Sequence, residues 1–313
     1  MNIQEFLQFA ERYKNWGRWG AEDEAGTLNF VTPEDVANAC RLGRRGRVFS
    51  LAIPFDQNGP QRSGARRFNP VHSMLRTGFD WPGMGTDNPP IWGGTDDMVT
   101  MPLQCATQWD SLAHVIFRGK MYNNRPYSLV DGQGAHKNSI TAATDRVIGR
   151  GVLLDIPRHR GVPWLEPGQS VNGDELEACA RRQGVEVRRG DFLLVRTGHI
   201  GLCRHKGSFD DFISGPWPGL GLSAVPWLFE KQIASVAADN VAVEADPSEV
   251  DGQRLPLHLT CIANMGLLLG EMFDLDPLAQ DCAQDGVYEF LFMAPPLPIT
   301  RAVGSPINPY AVK

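Results

Sequence analysis

The sequence has no excess of positive charge and no long apolar run. Its 30 Lys and Arg residues are outnumbered by 36 Asp and Glu residues, which gives a formal net charge of −6 at pH 7. Such a chain has no basic field with which to attract nucleic acid or an anionic membrane surface. No segment approaches the roughly 18 consecutive apolar residues that a membrane-spanning helix needs. Composition therefore predicts neither a nucleic-acid partner nor a membrane partner.

The six cysteines lack the paired Cys-x-x-Cys spacing of zinc and dithiol redox motifs. They are scattered singly along the chain: Cys40, Cys105, Cys179, Cys203, Cys261 and Cys282. A chain of 313 residues can bury a full hydrophobic core without disulfide bridges. Residues 1–17 are charged and have no apolar stretch, so they do not resemble a secretory signal. We therefore expect reduced, buried thiols in a cytoplasmic protein.

Glycine and proline, with 33 and 23 residues, are more frequent than in an average globular chain. The excess is concentrated in about residues 57–94, which also carry aromatic side chains from Phe79 to Trp92. Disordered segments lack such aromatics, so we expect an ordered Gly/Pro/Trp-rich loop that closes over a pocket. A single domain over residues 1–313 is predicted, with an N-terminal extension over about residues 1–45.

Short β-branched or aliphatic segments are interspersed with amphipathic ones. Five segments predict strands: residues 48–53, 150–155, 191–197, 233–238 and 287–293. Four segments predict helices: one beginning at Pro33 after a Thr32 cap, residues 172–182, residues 223–231 with Ser223 as the cap, and about residues 257–269. The mixed order predicts an α/β or α+β domain.

The densest polar cluster lies in residues 103–114. Four of its polar residues are separated by even numbers of positions: Gln104, Gln108, Asp110 and His114. An extended strand would project all four to one side. Such a face can hold a divalent cation or position a water, and the imidazole can act as a base. On periodicity alone, the alternative is an amide and carboxylate ladder on a half-exposed strand.

The same segment resembles the motif H-x-G-T-H-x-D-x-P-x-H of the metal-dependent cyclase and kynurenine-formamidase-like hydrolase family. Three positions match in register: Thr107, Asp110 and His114. Four positions depart from the motif: Gln104 and Gln108 replace metal-binding His, Ala106 replaces Gly, and Leu112 replaces Pro.

Further segments are similar to the family in the same order along nearly the whole chain. They are residues 19–34, residues 190–198, residues 237–244, His258 with Gly266 and Glu271, and residues 304–306. The resemblance implies a cyclase-like swivelling β/β/α fold, with a mixed sheet and flanking helices. It also implies a homo-oligomer.

In this family a downstream His and Glu complete the metal centre, and the last His of the motif is the general base. The resemblance therefore implies five metal ligands: Gln104, Gln108, Asp110, His258 and Glu271. It implies His114 and Asp110 as the catalytic residues, and Asp239 or Glu244 as a residue that orients the ligands. For Glu271 the alternative is an exposed carboxylate near a helix end, and for His258 a buried structural imidazole.

The two glutamines leave open whether the metal centre is rebuilt or lost. An amide oxygen is a harder and weaker ligand than imidazole, so a rebuilt centre favours Mn²⁺ or Mg²⁺ over softer ions. One ion, Zn²⁺ or Mn²⁺, is expected rather than two, because two imidazoles are missing. If the centre is lost, Asp110 and His114 remain as a metal-free carboxylate and base pair. His72 and His136 are candidates to replace a ligand, with surface histidines as the alternative.

The predicted function is hydrolysis of an amide or lactone bond in a small cyclic or aromatic substrate. A metal-activated water would be the nucleophile and His114 the general base. Two alternatives remain: a lactone-forming cyclase, and a metal-free member of the family that binds a small molecule.

Overall fold

The computed structural model describes residues 1–61 and 66–313. The strands in these ranges are β1 (Val48–Ser50), β2 (Val71–Arg76), β3 (Asp96–Thr100), β4 (Gln108–Asp110), β5 (Lys120–Met121), β6 (Arg125–Pro126), β7 (Val130–Asp131), β8 (Gly134–Ala135), β9 (Ile148–Asp155), β10 (Ser170–Val171), β11 (Phe192–Arg196), β12 (Gly219–Leu220), β13 (Ser235–Ala238), β14 (Leu268–Glu271), β15 (Glu289–Met293), β16 (Gly304–Pro306) and β17 (Tyr310–Val312). The helices are α1 (Ile3–Glu11), α2 (Pro33–Ala39), α3 (Ile156–Arg160), α4 (Gly173–Gln183), α5 (His199–Lys206), α6 (Val225–Lys231), α7 (Pro256–His258), which continues as a π-helix (Leu259–Met265), and α8 (Asp276–Asp285). Within the described ranges, these helices are too short or too polar to cross a bilayer.

Nine strands form the central sheet, in the order β1-β17-β15-β9-β11-β13-β14-β4-β16. The four inner strands β9, β11, β13 and β14 are parallel, and β4 and β15 flank them in the antiparallel sense. The parallel strands are apolar and buried along most of their length, as expected for a sheet covered on both faces. Helices α2 and α4 contact β9, and α3 contacts β11. The predicted α/β fold with a mixed sheet and flanking helices is confirmed.

All five predicted strands are present, with ends that differ by a few residues. The strand expected at residues 150–155 begins two residues earlier, at Ile148. Asp191 lies outside β11 because its carboxylate accepts a hydrogen bond from Arg188 N at 2.7 Å and closes a turn. Apolar runs thus located the strands, whereas the polar residues at their ends took part in local turns.

Of the two predicted helix caps, one is present and the other is wrong. The Thr32 side chain accepts from Asp35 N and caps α2, as predicted. Asn172 precedes α4 as its cap rather than lying in its first turn. The predicted Ser223 cap is wrong: α6 begins at Val225, and Ser223 lies in a 3₁₀ turn with its hydroxyl 2.9 Å from Glu249 Oε1.

The helix predicted over about residues 257–269 is wrong in its second part. Helix α7 and its π-helical continuation end at Met265, and β14 begins at Leu268. Gly266 stops the helix in the left-handed conformation, with a φ of 73°. A Cβ at this position would also collide with the Tyr122 ring. The chain therefore turns here and delivers the following residues to the sheet.

The Gly/Pro/Trp-rich region is not wholly a loop. Residues 71–100 form a β-hairpin of β2 and β3 with a connecting segment, which we call the arm. Residues 62–65 of the predicted loop lie outside the described residues. The alternation of apolar and polar residues that marks a half-buried strand is weak here, because every residue of both strands is exposed.

Candidate metal centre

Three buried side chains from distant parts of the sequence meet at one end of β14. They are Asp110 on β4, His258 at the end of α7 and Glu271 on β14. One ligand atom from each lies within 4.8 Å of the other two. The resemblance implied all three residues as ligands, and the fold brings them together. The alternative of an exposed carboxylate at Glu271 is wrong, since this residue is buried in the sheet.

Strand pairing places two of the motif residues on the same face. In the antiparallel pair of β4 and β14, Gln108 lies opposite Glu271 and Asp110 lies opposite Leu269. Gln108 and Asp110 are two residues apart, so both project towards the centre, while Trp109 projects into the core. Both are fully buried, which rules out the half-exposed ladder.

The extended stretch predicted over residues 104–114 is wrong outside β4. Gln104 precedes the strand in a turn, and His114 follows it in another. His114 N donates to Ser111 O at 3.0 Å, and this turn brings His114 Nε2 to 3.7 Å from Asp110 Oδ1. The side chain of His114 is 23% exposed, so it is partly open to solvent, unlike the three buried ligands. The even spacing of His114 is therefore incidental, and a turn places it.

Glu244 holds His258 in a defined orientation. Its Oε2 accepts from His258 Nδ1 and from His258 N, both at 3.1 Å, and its Oε1 accepts from Leu257 N at 2.9 Å. With Nδ1 engaged, Nε2 faces Glu271 Oε1 at 3.3 Å. Burial opposes a charge on His258, but the hydrogen bonds and charges of Glu244 and Glu271 outweigh it and raise its pKa to about 10.

Asp239, the other candidate for orienting a ligand, binds backbone groups before α5 instead. Its carboxylate accepts from Thr197 N at 2.6 Å and from Gly198 N at 2.7 Å. It therefore fixes the start of α5. Of the two candidates, only Glu244 bonds to a residue of the centre.

Three buried polar atoms of the motif residues have no hydrogen-bond partner among the described residues. They are Asp110 Oδ1, Gln108 Oε1 and Gln104 Nε2. An unpaired buried polar group costs about 1–3 kcal/mol, more for a charged group, so the unpaired atoms of Asp110 and Gln108 favour a bound group. Burial raises the pKa of Asp110 to about 6, against the opposing charge of His114. Two carboxylates, an imidazole and nearby amides are a donor set that fits a divalent cation.

Gln108 is hydrogen-bonded to Glu271. Its Nε2 donates to Glu271 Oε2 at 2.6 Å, which leaves Oε1 of Glu271 directed towards His258. Its Oε1 has no partner among the described residues and is the amide atom that could accept a cation. The backbone of Gln104 is fixed by Arg67, because the Gln104 backbone oxygen accepts a hydrogen bond from Arg67 Nη1 at 3.2 Å.

Neither His72 nor His136 replaces a missing ligand. His72 Nε2 lies 2.8 Å from Asp97 Oδ2 on the arm, and His136 Nε2 lies 2.9 Å from Asp131 Oδ2. Both pairs are outside the group formed by Asp110, His258 and Glu271 in the described part of the chain. The alternative of surface histidines is confirmed.

The tryptophans do not gather around the centre. Trp109 is in the core, where its Nε1 donates to Ala294 O at 2.8 Å, and Trp217 is buried. Trp81 and Trp92 pair with each other on the arm, with ring centroids 4.7 Å apart. Trp109 is therefore a core residue, whereas Trp81 and Trp92 belong to the arm that was expected to close over a pocket.

Sequence reasoning missed the contacts at the base of the arm. Besides Arg67, Gln61 holds the turn before β4, since its Nε2 donates to Cys105 O at 2.8 Å. These residues lie in an irregular Gly/Pro-rich segment without periodicity. No pattern in the sequence indicated that their side chains bond to the backbone of the motif.

Comparisons with known proteins agree with this geometry. The family model described as "Putative cyclase" matches residues 49–245, more than half of the chain. The chain belongs to the cyclase family. A crystal structure of a novel cyclase is 39% identical to it, with a TM-score of 0.87, over 97% of this chain and 99% of the other. The family resemblance of the motif is confirmed.

Two more distant structures share the fold of this cyclase-family chain. Isatin hydrolase A from Labrenzia aggregata is 17% identical, with a TM-score of 0.61, over 85% of this chain and 93% of its own. A predicted metal-dependent hydrolase from Bacillus stearothermophilus is 15% identical, with a TM-score of 0.53, over 85% and 97%. No curated protein sequence matches the chain. The solved relatives of this fold thus include proteins described as hydrolases.

Proposed function

We propose that this protein is a metal-dependent hydrolase that opens an amide or lactone bond of a small cyclic or aromatic substrate. The observation that carries the proposal is the buried group of Asp110, His258 and Glu271, with unpaired polar atoms around it. Membership of the cyclase family and structural relatives described as hydrolases support the same class of reaction.

The chain's own residues would hold one divalent ion. Asp110, His258 and Glu271 would supply the charged and imidazole ligands, and Gln108, which bonds to Glu271, could add a neutral amide oxygen. When bound, such an ion would lower the pKa of a water and polarise the scissile carbonyl. The oxygen-rich set favours Mn²⁺ over a softer ion, because two imidazoles of the family motif are replaced by amides.

His114 is the proposed general base. It is the residue of the cluster that combines an imidazole with partial exposure, so a substrate can approach it. Asp110 Oδ1, 3.7 Å from His114 Nε2, would hold the ring and stabilise its protonated form. After taking a proton from the attacking water, His114 would return it to the leaving nitrogen or oxygen.

Glu244 would keep His258 ready to bind. Its hydrogen bond keeps a proton on Nδ1, so a divalent ion that displaced the proton of Nε2 would bind through that nitrogen.

The test combines metal removal with a small substrate panel. The panel contains an aryl formamide, an aryl lactone and isatin. Isatin is a cyclic amide, and one of the structural relatives is described as an isatin hydrolase. We expect turnover of at least one amide or lactone, loss of turnover after chelation, and recovery with Mn²⁺ or Zn²⁺. If neither ion binds the chelated protein or restores turnover of any substrate, the proposal is wrong.

A metal-free binding protein is the competing reading, because Gln108 and His258 already pair with Glu271. Such a protein would bind an aromatic ligand with unchanged affinity before and after chelation. Acid formed from the corresponding lactone would argue for hydrolysis, whereas net lactone formation would argue for a cyclase.

A further inference from the structure

A cavity lies between helix α5 and residues 208–216, the segment that follows it. Its volume is about 280 Å³, close to the roughly 300 Å³ at which small-molecule pockets begin. The wall is mainly apolar and includes Pro167, Leu202 and Pro216. The proposed metal ligands do not belong to this wall. We call this space the α5 cavity, and its size suits a molecule of one or two rings.

A buried imidazole forms part of the wall of the α5 cavity. His199 is the first residue of α5, and 3% of its surface is exposed. Phe212 stacks on the imidazole, with ring centroids 4.7 Å apart. Nδ1 has no hydrogen-bond partner among the described residues, and none of their hydrogen bonds involves Nε2. A buried polar group without a partner is unfavourable, so this ring favours a bound molecule in the cavity.

Packing fixes the inner side of the cavity. Cys203 lines the cavity and is buried with Phe212 in a small apolar cluster. The same cluster contains Met272 and, from the turn before β4, Cys105 and Ala106. The wall is therefore part of the folded core. A space that is already formed costs a ligand little ordering of the protein.

The imidazole of His199 is neutral and suits a hydroxyl group. Burial, and to a smaller extent the charge of Lys206, lower the pKa of His199 to about 4. A neutral imidazole has one N–H donor and one acceptor nitrogen. A hydroxyl is both a donor and an acceptor, so it can pair with either ring nitrogen.

Charges of both signs line the cavity. Lys206, Asp210 and Asp211 belong to its wall, and all three residues are exposed. Exposed charges of opposite sign are screened by water and salt, so these residues select neither an anion nor a cation. A charged ligand would also lose hydration on entering a mainly apolar space. The ligand that fits the cavity is therefore uncharged.

We propose that the α5 cavity binds a small uncharged molecule with an apolar body and one hydroxyl group, as phenols have. The apolar body lies against Leu202 and the two prolines of the wall, and the hydroxyl pairs with the imidazole of His199. The cavity shares no residue with the metal centre, so this binding does not depend on a cation.

The experiment is a calorimetric titration of the full chain with phenol and with toluene, a similar ring without the hydroxyl. We expect phenol to bind the wild type at one site per chain and more tightly than toluene. His199→Phe keeps an aromatic ring beside Phe212 but removes both nitrogens. Its affinity for phenol should fall at least about tenfold, because the hydroxyl then lacks a partner. Its affinity for toluene should change far less.

The matched control is His205→Phe, which changes an exposed histidine of the same helix. It should bind both compounds like the wild type. Thermal melts check that each variant folds.

Nitrogen NMR of the histidine rings locates the bound phenol. The signals missing from His199→Phe belong to His199, and those missing from His205→Phe belong to His205. Phenol should shift the first set and leave the second in place. The same shifts should occur after chelation, because the wall of the cavity contains no proposed metal ligand. Loss of the metal-dependent activity would therefore leave this result unchanged.

Three outcomes overturn the inference. Failure of phenol to saturate the wild type would mean that the cavity holds water only. Equal phenol affinity in His199→Phe and the wild type would mean that the hydroxyl does not pair with His199. Unshifted His199 signals would place the bound phenol elsewhere. Should His199→Phe fail to fold, phenol binding no tighter than toluene binding in the wild type overturns the inference instead.

Discussion

The metal centre and the arm depart from ordinary burial in opposite directions. The centre places two carboxylates, an imidazole and two amides inside the molecule, and three of their atoms lack partners. The arm places large apolar side chains outside, on a hairpin that no part of the described chain covers. Each would be unfavourable in isolation. The proposed cation would resolve the first departure, whereas nothing in the described chain covers the second.

The two regions are also separable by experiment, although they are close in sequence. Arg67 and Gln61, just before the arm, bond to the backbone at Gln104 and Cys105. Variants in the centre should change metal binding and leave the mass in solution unchanged. Arm variants should leave metal binding unchanged.

The largest effect is expected for Asp110→Asn. The change keeps the shape of the side chain but removes a negative ligand, so metal affinity should fall by more than the roughly 100-fold that loss of an outer partner costs. Turnover should fall to the uncatalysed rate. Calorimetric titration with Mn²⁺ measures the affinity, and the exposed arm variant Met98→Ser is the control. Equal affinity in both variants would contradict the assignment of Asp110.

His114→Ala should separate the chemical step from metal binding. Loss of a general base costs about 100- to 10,000-fold in kcat. The dissociation constant for Mn²⁺ should change little, because His114 is not among the three buried ligands. A parallel loss of metal affinity and rate would instead make His114 a ligand.

His199 tests whether an unpaired buried nitrogen always marks a binding site. Its Nδ1 has no hydrogen-bond partner among the described residues, and its ring stacks on Phe212 with ring centroids 4.7 Å apart. Burial, together with the charge of Lys206, lowers the pKa of His199 to about 4 from 6.5. Its neutral form therefore stabilises the fold fully above pH 6.5.

This contribution is lost as the pH falls from 6.5 towards 4, and it amounts to about 3 kcal/mol. Chemical unfolding across that range should show a smaller loss of stability for His199→Phe than for the wild type. The exposed His205→Phe is the matched control. An unchanged acid slope in His199→Phe would show that His199 is not the buried group that titrates.

Glu244→Gln should have the smallest effect. The change removes the negative charge that accepts from His258 Nδ1 and keeps one carbonyl oxygen as an acceptor. Loss of such an outer partner weakens metal binding about 10- to 100-fold. Glu249→Gln is the matched control, since Glu249 accepts from Ser223 N at 2.9 Å without contacting the centre. Unaltered Mn²⁺ affinity in Glu244→Gln would mean that His258 is oriented by packing alone.

The parallel core of the fold was predictable from the sequence. Runs such as Leu153–Leu154 and Leu193–Val195 are buried on both faces, so their hydrophobicity alone indicates strands. The end of the π-helix that continues α7 was not predictable, because Gly266 acts through its left-handed backbone and the nearby Tyr122 ring. A helical pattern on either side of that glycine gives no sign of the turn.

The candidate site was predictable only through the family motif. Nothing in the spacing of His258 and Glu271 indicates that they approach Asp110, since a π-helix and a strand register bring them there. His114 was predicted to share one face of an extended strand with Asp110, and that reason was wrong. A turn at Ser111 brings it to Asp110 instead. The arm was expected as a loop, since an uncovered hairpin has no buried face to impose alternation on its sequence.

The central claim is that the buried group binds a divalent ion. The most direct measurement is equilibrium dialysis of the chelated protein against Mn²⁺, followed by elemental analysis of the wild type and Asp110→Asn. We predict one ion per chain in the wild type and almost none in the variant. Equal occupancy of the two proteins, or an empty wild type, would contradict the claim.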